Sequence, residues 1–332
     1  MEDYKKHMSN QIPKEKNLTM GAPHLVLLGA GASKAAFPNG DANGKELPLT
    51  KDLARVCKLG EIDPQAEKAK DFESYYSDLT DTKIKSAMES RIFDYFSSLR
   101  LPTEPTIYDY LVLSLRKKDV IATFNWDPFL SQAGQRNHQI GSMPQVLYLH
   151  GSVFVGYCMK DKTMGMAGYP CSKCNKPFTR PDLLYPVKEK NYQKDEIIKT
   201  NWDYLQKVLK RAYIFTIFGY SAPKTDVEAI DLLKKGWGDK AKRNLEEVEI
   251  INRPGADKDK LREVWDEFIH THHYGVIDDF FNSWLIKHPR RSCDAMWETL
   301  MMVRPYKETP PPITKNLNEL QKWFSDRLTQ YE

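Results

Sequence analysis

The chain has 332 residues, of which 41% are hydrophobic and 28% charged, and its formal net charge is +4 at pH 7. This composition is typical of a globular protein, and so mild a charge gives no signature of nucleic-acid binding. No apolar stretch approaches the about 20 residues that span a bilayer, and the charged N-terminus lacks the apolar segment of a secretory signal. Five cysteines, an odd number, favour a reducing compartment. We therefore expect a cytoplasmic protein without a membrane partner.

The first predicted elements are an N-terminal arm over residues 1–20 and a strand followed by a glycine turn. The apolar run HLVLL (24–28) is typical of a strand buried on both faces. It leads into GAGAS (29–33), where Gly29 and Gly31 would let the backbone turn sharply and approach a ligand. The amides that follow would offer an anion site at a helix N-terminus. Because no third glycine completes the pattern GxGxxG, a purely structural strand–helix turn remains an equal alternative.

A helical insertion is predicted next, over residues 50–118. Within it, Ile84, Met88, Phe93 and Phe96 keep helical spacing. The proline-rich step at 101–105 separates this helix from another predicted over 107–117.

Four later apolar runs end in polar residues or glycine, at Thr123, Asn125 and Asp127, at His150, at Gly219, Tyr220 and Ser221, and at Asn252. Strands alternating with helices predict a mostly parallel, doubly wound sheet. Because ligands of such sheets bind beyond the carboxyl ends of the strands, we expect these residues to share one crevice.

The predicted fold class is α/β, with a doubly wound, mostly parallel Rossmann-like sheet over residues 21–256. It carries the helical insertion (50–118) and a small, loop-rich cysteine module (153–192). A C-terminal helical region is predicted over residues 257–332, with helices at 257–270, 277–287, 292–303 and 316–331. The apolar stripe of the last helix fits packing on the core or an oligomer or partner interface; its members are Leu317, Leu320, Phe324, Leu328 and Tyr331.

The motifs GAGAS (29–33), TFNWD (123–127), HGS (150–152) and FGYS (218–221) occur in the order of the sirtuin nucleotide-binding core. In detail, including GKELPLTKDL (44–53) and GYSAPKTD (219–226), the chain resembles bacterial sirtuin-like proteins, many of which cleave NAD in antiphage defence. The resemblance covers residues 22–252. It implies NAD as the substrate, a sirtuin-like NAD-binding domain, and NAD-cleaving roles for Asn125 and His150. The candidate NAD-binding residues are Gly29, Ala30, Gly31, Ser33, Thr123, Gly219, Tyr220, Ser221 and Asn252. Packing is the alternative for Tyr220, and strand-end capping is the alternative for Ser221 and Asn252.

Two departures from protein deacylases count against recognition of an acylated lysine. The stretch FPNGDANG (37–44) lacks the Phe-Arg pair that follows the glycine turn in deacylases, and Gly-Tyr-Ser (219–221) replaces Gly-Thr-Ser. Both departures leave the expected NAD site intact.

Cleavage of the nicotinamide–ribose bond builds positive charge at the anomeric carbon of the ribose. The Asn125 amide suits binding to ribose hydroxyls or a water, and His150 suits proton removal, since its unperturbed pKa is about 6.5. Asp127 suits orienting a neighbour or stabilising positive charge, and equally suits capping the next helix. Ser33 is expected to contact a phosphate or cap a helix, and Asp226 to cap a helix.

The cysteine module offers a candidate zinc site. Cys171 and Cys174 form one CxxC pair, and Cys158 is followed by Asp161 at the position of a second upstream cysteine. Sirtuins often carry two CxxC pairs on zinc here. Three thiolates and a carboxylate would complete a tetrahedral set, and a metal-free loop is the alternative.

The leading hypothesis is an NAD glycohydrolase that releases nicotinamide and ADP-ribose and depletes NAD in antiphage defence. The resemblance implies restraint of such an activity by homo-oligomerisation or by a partner, such as a HerA-type ATPase or an Argonaute-type sensor. The alternatives are an NAD-dependent protein deacylase and a non-catalytic NAD or ADP-ribose sensor.

Overall fold

The structure is a computed structural model, and it describes residues 20–187, 191–223, 226–302 and 306–328. The predicted N-terminal arm lies outside these residues except for Met20. Tyr331 of the predicted C-terminal stripe also lies outside them.

Six strands form the central sheet: β1 (His24–Leu28), β2 (Val120–Thr123), β3 (Gln145–Tyr148), β6 (Ile214–Phe218), β7 (Glu247–Ile251) and β8 (Tyr274–Ile277). Their order is β3-β2-β1-β6-β7-β8, and all neighbours are parallel. Strands β1, β2 and β6 are buried along their whole length, as their unbroken apolar runs predict. The predicted doubly wound, mostly parallel sheet is confirmed.

The α-helices are α1 (Ala30–Ala36), α2 (Leu53–Val56), α3 (Gln65–Lys68), α4 (Phe72–Asp78), α5 (Thr82–Ser97), α6 (Ile107–Ser114), α7 (Phe129–Asn137), α8 (Glu196–Leu209), α9 (Val227–Trp237), α10 (Lys258–Trp265), α11 (Trp284–Lys287), α12 (Ser292–Met302) and α13 (Leu317–Ser325). Successive residues of β1 point to opposite faces of the sheet, so two cores result. Val26 packs in one core with α5, α6 and α7, and Leu27 in the other with α8 and α9. Among the described residues, no helix is both long and apolar enough to span a membrane.

The register places the strand ends that matter for function along one edge. Thr123 pairs with Leu28 on one side and with Tyr148 on the other. Asn125 lies two residues after Thr123, and His150 lies two residues after Tyr148. The two side chains therefore follow neighbouring strands at matching positions. Strands β2 and β3 lie on one side of β1 and β6 to β8 on the other, so the topological switch point falls between β1 and β6.

The cysteine module contains a β-hairpin that its weak periodicity did not predict. Strands β4 (Val155–Cys158) and β5 (Thr163–Met166) pair antiparallel, and Tyr157 also bridges to Thr179. The hairpin brings Cys158 close to the CxxC pair.

The region after residue 257 is helical as predicted, except around β8. Residues 274–277 form that strand, and the helix predicted over 277–287 is a 3₁₀ turn at Phe280–Asn282 followed by the short α11. In α13, Leu320 and Phe324 are buried in the core, which favours packing over an exposed interface for this part of the stripe.

Candidate functional site

The glycine turn after β1 packs against the end of β6. The Gly29 amide donates to the Phe218 carbonyl (2.9 Å), and the Gly31 amide donates to the Gly219 carbonyl (3.0 Å). A Cβ on Gly29 would lie 2.6 Å from the Gly219 carbonyl oxygen, and one on Gly31 would lie 2.8 Å from the same oxygen. These glycines therefore make room for neighbouring backbone, as in the structural turn that was one of the two alternatives raised for them.

The amides of this turn are also used within the protein. The Gly31 amide is bonded to β6, and the Ala32 amide donates to the Gly29 carbonyl at 2.9 Å. This differs from the expected run of amides facing an anion. Ala30, the first residue of α1, is half-buried.

Asn125 is held in one amide orientation. Its Nδ2 donates to the Gly29 carbonyl at 3.0 Å and to the Ser33 hydroxyl at 2.9 Å. A side-chain amide has two N–H hydrogens, so these bonds use both and leave Oδ1 to accept from a ligand hydroxyl or water. The reverse orientation would set Oδ1 against the Gly29 carbonyl. Thr123, whose hydroxyl accepts from the Asn125 backbone amide at 3.0 Å, supports the same turn.

Ser33 connects Asn125 to Asp127. The Ser33 hydroxyl donates to Asp127 Oδ2 at 2.7 Å, so it accepts from the Tyr108 hydroxyl, also at 2.7 Å. Ser33 is 4% exposed and belongs to this network.

The carboxylate of Asp127 contacts both Ser33 and the start of the next helix, α7. It accepts from the Ser33 hydroxyl, which connects it to Asn125, and Oδ1 accepts a long bond, 3.4 Å, from the Phe129 amide. Burial raises the pKa of Asp127 to about 6, and the bonds from Ser33 and Phe129 oppose that shift.

His150 belongs to a second network. Its Nε2 lies 2.8 Å from the Tyr192 hydroxyl, and its ring stacks on Tyr192 and meets the ring of Phe124 edge-on. Tyr192 donates to Asp226 Oδ1 at 2.7 Å, and Tyr220 donates to Asp226 Oδ2 at 3.0 Å. The expectation that Asp226 caps a helix is wrong, because its side chain makes no capping bond to α9.

The remaining predicted contacts lie at the ends of β6 and β7. The ring of Tyr220 stacks on Phe124 with centroids 4.2 Å apart and is 8% exposed. Ser221 is exposed, and Asn252 is half-buried with Oδ1 accepting from the Arg253 amide at 2.8 Å. The structure thus joins two groups by hydrogen bonds, around Asn125 and around His150, and places Ser221 and Asn252 farther along the same edge.

Tyr108 and Tyr192 are site residues that the sequence interpretation missed. Tyr108 lies in α6 of the insertion, and Tyr192 in the loop before α8. Each of these tyrosines is buried among mainly apolar side chains. No local pattern distinguishes such a residue from an ordinary core tyrosine.

The predicted zinc ligands come together at the hairpin. Cys158, Asp161, Cys171 and Cys174 each place a ligand atom within 4.8 Å of the others. Cys158 Sγ lies 3.5 Å from Cys174 Sγ, and Asp161 Oδ2 lies 3.4 Å from Cys158 Sγ and 3.3 Å from Cys171 Sγ.

These separations fit zinc. A tetrahedral ion with Zn–S bonds of about 2.3 Å and a Zn–O bond of about 2.0 Å sets neighbouring ligand atoms about 3.5 to 3.8 Å apart. Hydrogen bonds from Cys174 and Cys171 hold the pKa of Asp161 below its usual value, so the carboxylate form is favoured. The set can hold a structural zinc ion that ties the hairpin to the CxxC loop.

Comparison with known proteins finds no matching family model and no matching protein among those of curated function. Among solved structures, an ADP-ribose complex of a mutated Sir2 homologue is 16% identical, with a TM-score of 0.38 over 74% of this chain and 92% of that one. An NAD complex of a Sir2 homologue is 16% identical, with a TM-score of 0.37 over 85% and 90% of the two chains. A structure concerning the mechanism and regulation of Sir2 enzymes is 14% identical, with a TM-score of 0.37 over 93% and 94%. The chain is similar to these Sir2 homologues.

Proposed function

We propose that this protein hydrolyses NAD at the nicotinamide–ribose bond and releases nicotinamide and ADP-ribose. The observation that carries the proposal is the placement of Asn125 and His150 at matching positions beyond two neighbouring parallel strands. Asn125 presents a fixed carbonyl oxygen, and His150 presents a titratable ring. Together they supply an oriented acceptor and a base at one edge of the sheet.

In the proposed reaction the bond between the ribose anomeric carbon and the nicotinamide nitrogen breaks. Its electron pair neutralises the ring nitrogen, and positive charge develops on the ribose. Asn125 Oδ1 accepts a hydrogen bond from a ribose hydroxyl or from the attacking water. Water oxygen bonds to the anomeric carbon, and His150 takes the proton that this water loses. The network of Ser33 and Asp127 keeps Asn125 in place but does not itself react.

NAD as the substrate is supported by the motif set that resembles bacterial sirtuin-like proteins. We extend the proposal on that resemblance alone: the enzyme depletes NAD in the cytoplasm during antiphage defence. Restraint of such an activity calls for homo-oligomerisation or a partner of the HerA-type ATPase or Argonaute-type class. Chromatographic mass with and without a co-encoded partner, alongside NAD turnover, tests this extension.

The test incubates the purified chain with NAD in the absence of any acylated peptide and follows nicotinamide and ADP-ribose by chromatography. We expect wild-type turnover and a loss of about 100-fold or more in His150→Ala, since general-base catalysis alone supplies that much. Asn125→Ala should lose a comparable factor, because it removes the oriented acceptor for the ribose hydroxyl or the attacking water. The matched controls are His138→Ala and Asn318→Ala, which remove exposed side chains and leave turnover unchanged.

Two results would contradict the proposal. Nicotinamide release that requires an acylated peptide would identify a deacylase. Binding of NAD without turnover, with or without a partner, would identify a sensor.

A further inference from the structure

A tyrosine connects His150 to a buried acid. His150 Nε2 lies 2.8 Å from the Tyr192 hydroxyl, and the Tyr192 hydroxyl lies 2.7 Å from Asp226 Oδ1. The three side chains are buried, with Tyr192 at 0%, Asp226 at 3% and His150 at 9% exposure. They come from three separate segments: the end of β3, the loop before α8 and the start of α9.

The hydrogens along this chain can be assigned one by one. A carboxylate can only accept hydrogen bonds, and a phenol has a single hydrogen to donate. Tyr192 therefore donates its hydrogen to Asp226. The Tyr192 oxygen must then accept from His150, and Nε2 must carry a hydrogen. Because a neutral imidazole has one N–H, the basic nitrogen of His150 is Nδ1.

Tyr220 completes the environment of the acid. It donates to Asp226 Oδ2 at 3.0 Å, so both carboxylate oxygens accept from a phenol. Burial and the nearby Asp226 raise the pKa of both tyrosines well above the usual value, so both phenols stay protonated.

We propose that Tyr192 and Asp226 are positioning residues for His150. They hold its Nε2–H tautomer, make Nδ1 the nitrogen that takes the proton, and stabilise the imidazolium that results. This role rests on the proposed NAD hydrolysis, in which His150 is the base.

The proton does not travel along the chain. When Nδ1 takes it, His150 becomes positive, and its Nε2–H bond to Tyr192 strengthens because the far end of that hydroxyl is bonded to a negative carboxylate. Tyr192 keeps its own hydrogen throughout. Among the described residues, the acids and phenols that act on Tyr192 are Asp226, Tyr220 and Glu228, and Asp226 is the one bonded to it.

The test compares Asp226→Asn and Tyr192→Phe by nitrogen-15 NMR of the full chain labelled at histidine, with His150 assigned from a His150→Gln variant. In the wild type we expect neutral His150 to carry its hydrogen on Nε2. Asp226→Asn keeps an oxygen for Tyr192 and so keeps the tautomer, but removes the charge and lowers the His150 pKa by about one unit. Tyr192→Phe removes the acceptor, so both the tautomer preference and the pKa change.

Turnover of NAD provides the second readout. We expect kcat to fall about 10-fold or more in both variants, with KM little changed, and the acidic limb of the kcat–pH profile to move with the His150 pKa. Tyr148→Phe is the matched control. It removes another buried hydroxyl, bonded to Ser131 at 2.6 Å, from the strand that leads to His150. It should leave the His150 pKa and kcat unchanged.

Two results would overturn the proposal: neutral wild-type His150 with its hydrogen on Nδ1, or one His150 pKa shared by the wild type and both variants. The NMR measurement needs no turnover, so it decides this role even where NAD hydrolysis itself fails. Far-ultraviolet circular dichroism separates a variant that unfolds from one that has lost only the hydrogen bonds that position His150.

Discussion

At the scale of single residues, the close contact between the β1–α1 turn and the end of β6 requires glycine on both sides of the contact. Gly219 has φ +69°, in the left-handed region that other residues adopt at a cost. A Cβ there would lie 2.1 Å from the Ala32 amide nitrogen. The three nearest atoms belong to the backbone of Gly31 and Ala32, so no flexible side chain can move away to make room.

Gly219→Ala should lower the free energy of unfolding by more than about 2 kcal/mol. The left-handed conformation costs about 1–2 kcal/mol, and the backbone clash adds to it. Urea unfolding measures the loss. Gly134→Ala is the control with the opposite sign: it lies in α7 with no heavy atom within 4 Å of the new Cβ, so it should gain up to about 1 kcal/mol. A Gly219→Ala protein as stable as the wild type would refute the steric role assigned to this crossing.

The sequence predicted those residues of the candidate site that directly follow a strand, because the strand then determines where they lie. Asn125 and His150 follow apolar runs, and parallel strands bring such ends to one edge, so their proximity could be inferred from the pattern. Tyr108 and Tyr192 reach the same edge from a helix and a loop, through folding that no local pattern encodes. Asp226 shows the converse failure: it stands where a helix cap belongs, but two tyrosines bind its carboxylate instead.

At the scale of elements, strand β5 of the hairpin has little apolar burial of its own, whereas β4 is mostly buried. Met164 is 47% exposed and the residues of β5 are half-buried or exposed. A two-stranded hairpin is marginally stable by itself, so the cluster of three cysteines and Asp161 is well placed to stabilise it.

Purified protein should therefore contain one zinc ion per chain by elemental analysis. Cys171→Ser and Asp161→Ala should each lose most of it, because each removes one of four ligands, whereas Asp161→Cys should retain it as a four-cysteine site. A chelator should lower the Tm of the wild type. Cys57→Ala is the control, since Cys57 is buried away from the cluster and its loss leaves the zinc content unchanged. Zinc-free wild type from zinc-supplemented medium would favour the metal-free loop.

Strand β8 is an element that the sequence pattern did not predict. Its four residues, Tyr274–Ile277, include a glycine and are all half-buried, so they show neither the unbroken apolar run of β1 nor an alternation of buried and exposed residues. Pairing with β7 places them in the sheet. Long elements such as α5 and α8 were predictable because their apolar spacing extends over several turns.

At the scale of the whole molecule, ionisable groups are buried near the amino ends of the strands as well as at the site. His24, fully buried in β1, bonds to Ser292 and Thr216, and Thr216 donates to Glu249 at 3.1 Å. Burial lowers the pKa of His24 to about 4 and raises that of Glu249 to about 7. Burial, with the nearby Glu249 charge, raises the pKa of Glu247 to about 8.

These shifts act on stability in opposite directions and over different ranges of pH. A carboxyl with a raised folded pKa binds more protons when folded, so its contribution to stability is lost as pH rises toward that pKa. A buried histidine with a lowered pKa costs stability only below about pH 6.5, where the unfolded chain takes up the proton. From about pH 6.5 to about pH 8, Glu247 and Glu249 therefore dominate over His24.

The wild type should lose about 2 kcal/mol of unfolding free energy across that interval, since a shift of one pKa unit corresponds to about 1.4 kcal/mol. Glu247→Gln should remove more than half of this loss, because Glu247 has the higher pKa of the pair and stays protonated over most of the interval. Urea unfolding at a series of pH values measures the slope. Glu46→Gln should leave it unchanged, because Lys34 and Arg55 hold the pKa of Glu46 below its usual value and that carboxyl is ionised in both states. A Glu247→Gln slope equal to that of the wild type would place the pH sensitivity elsewhere.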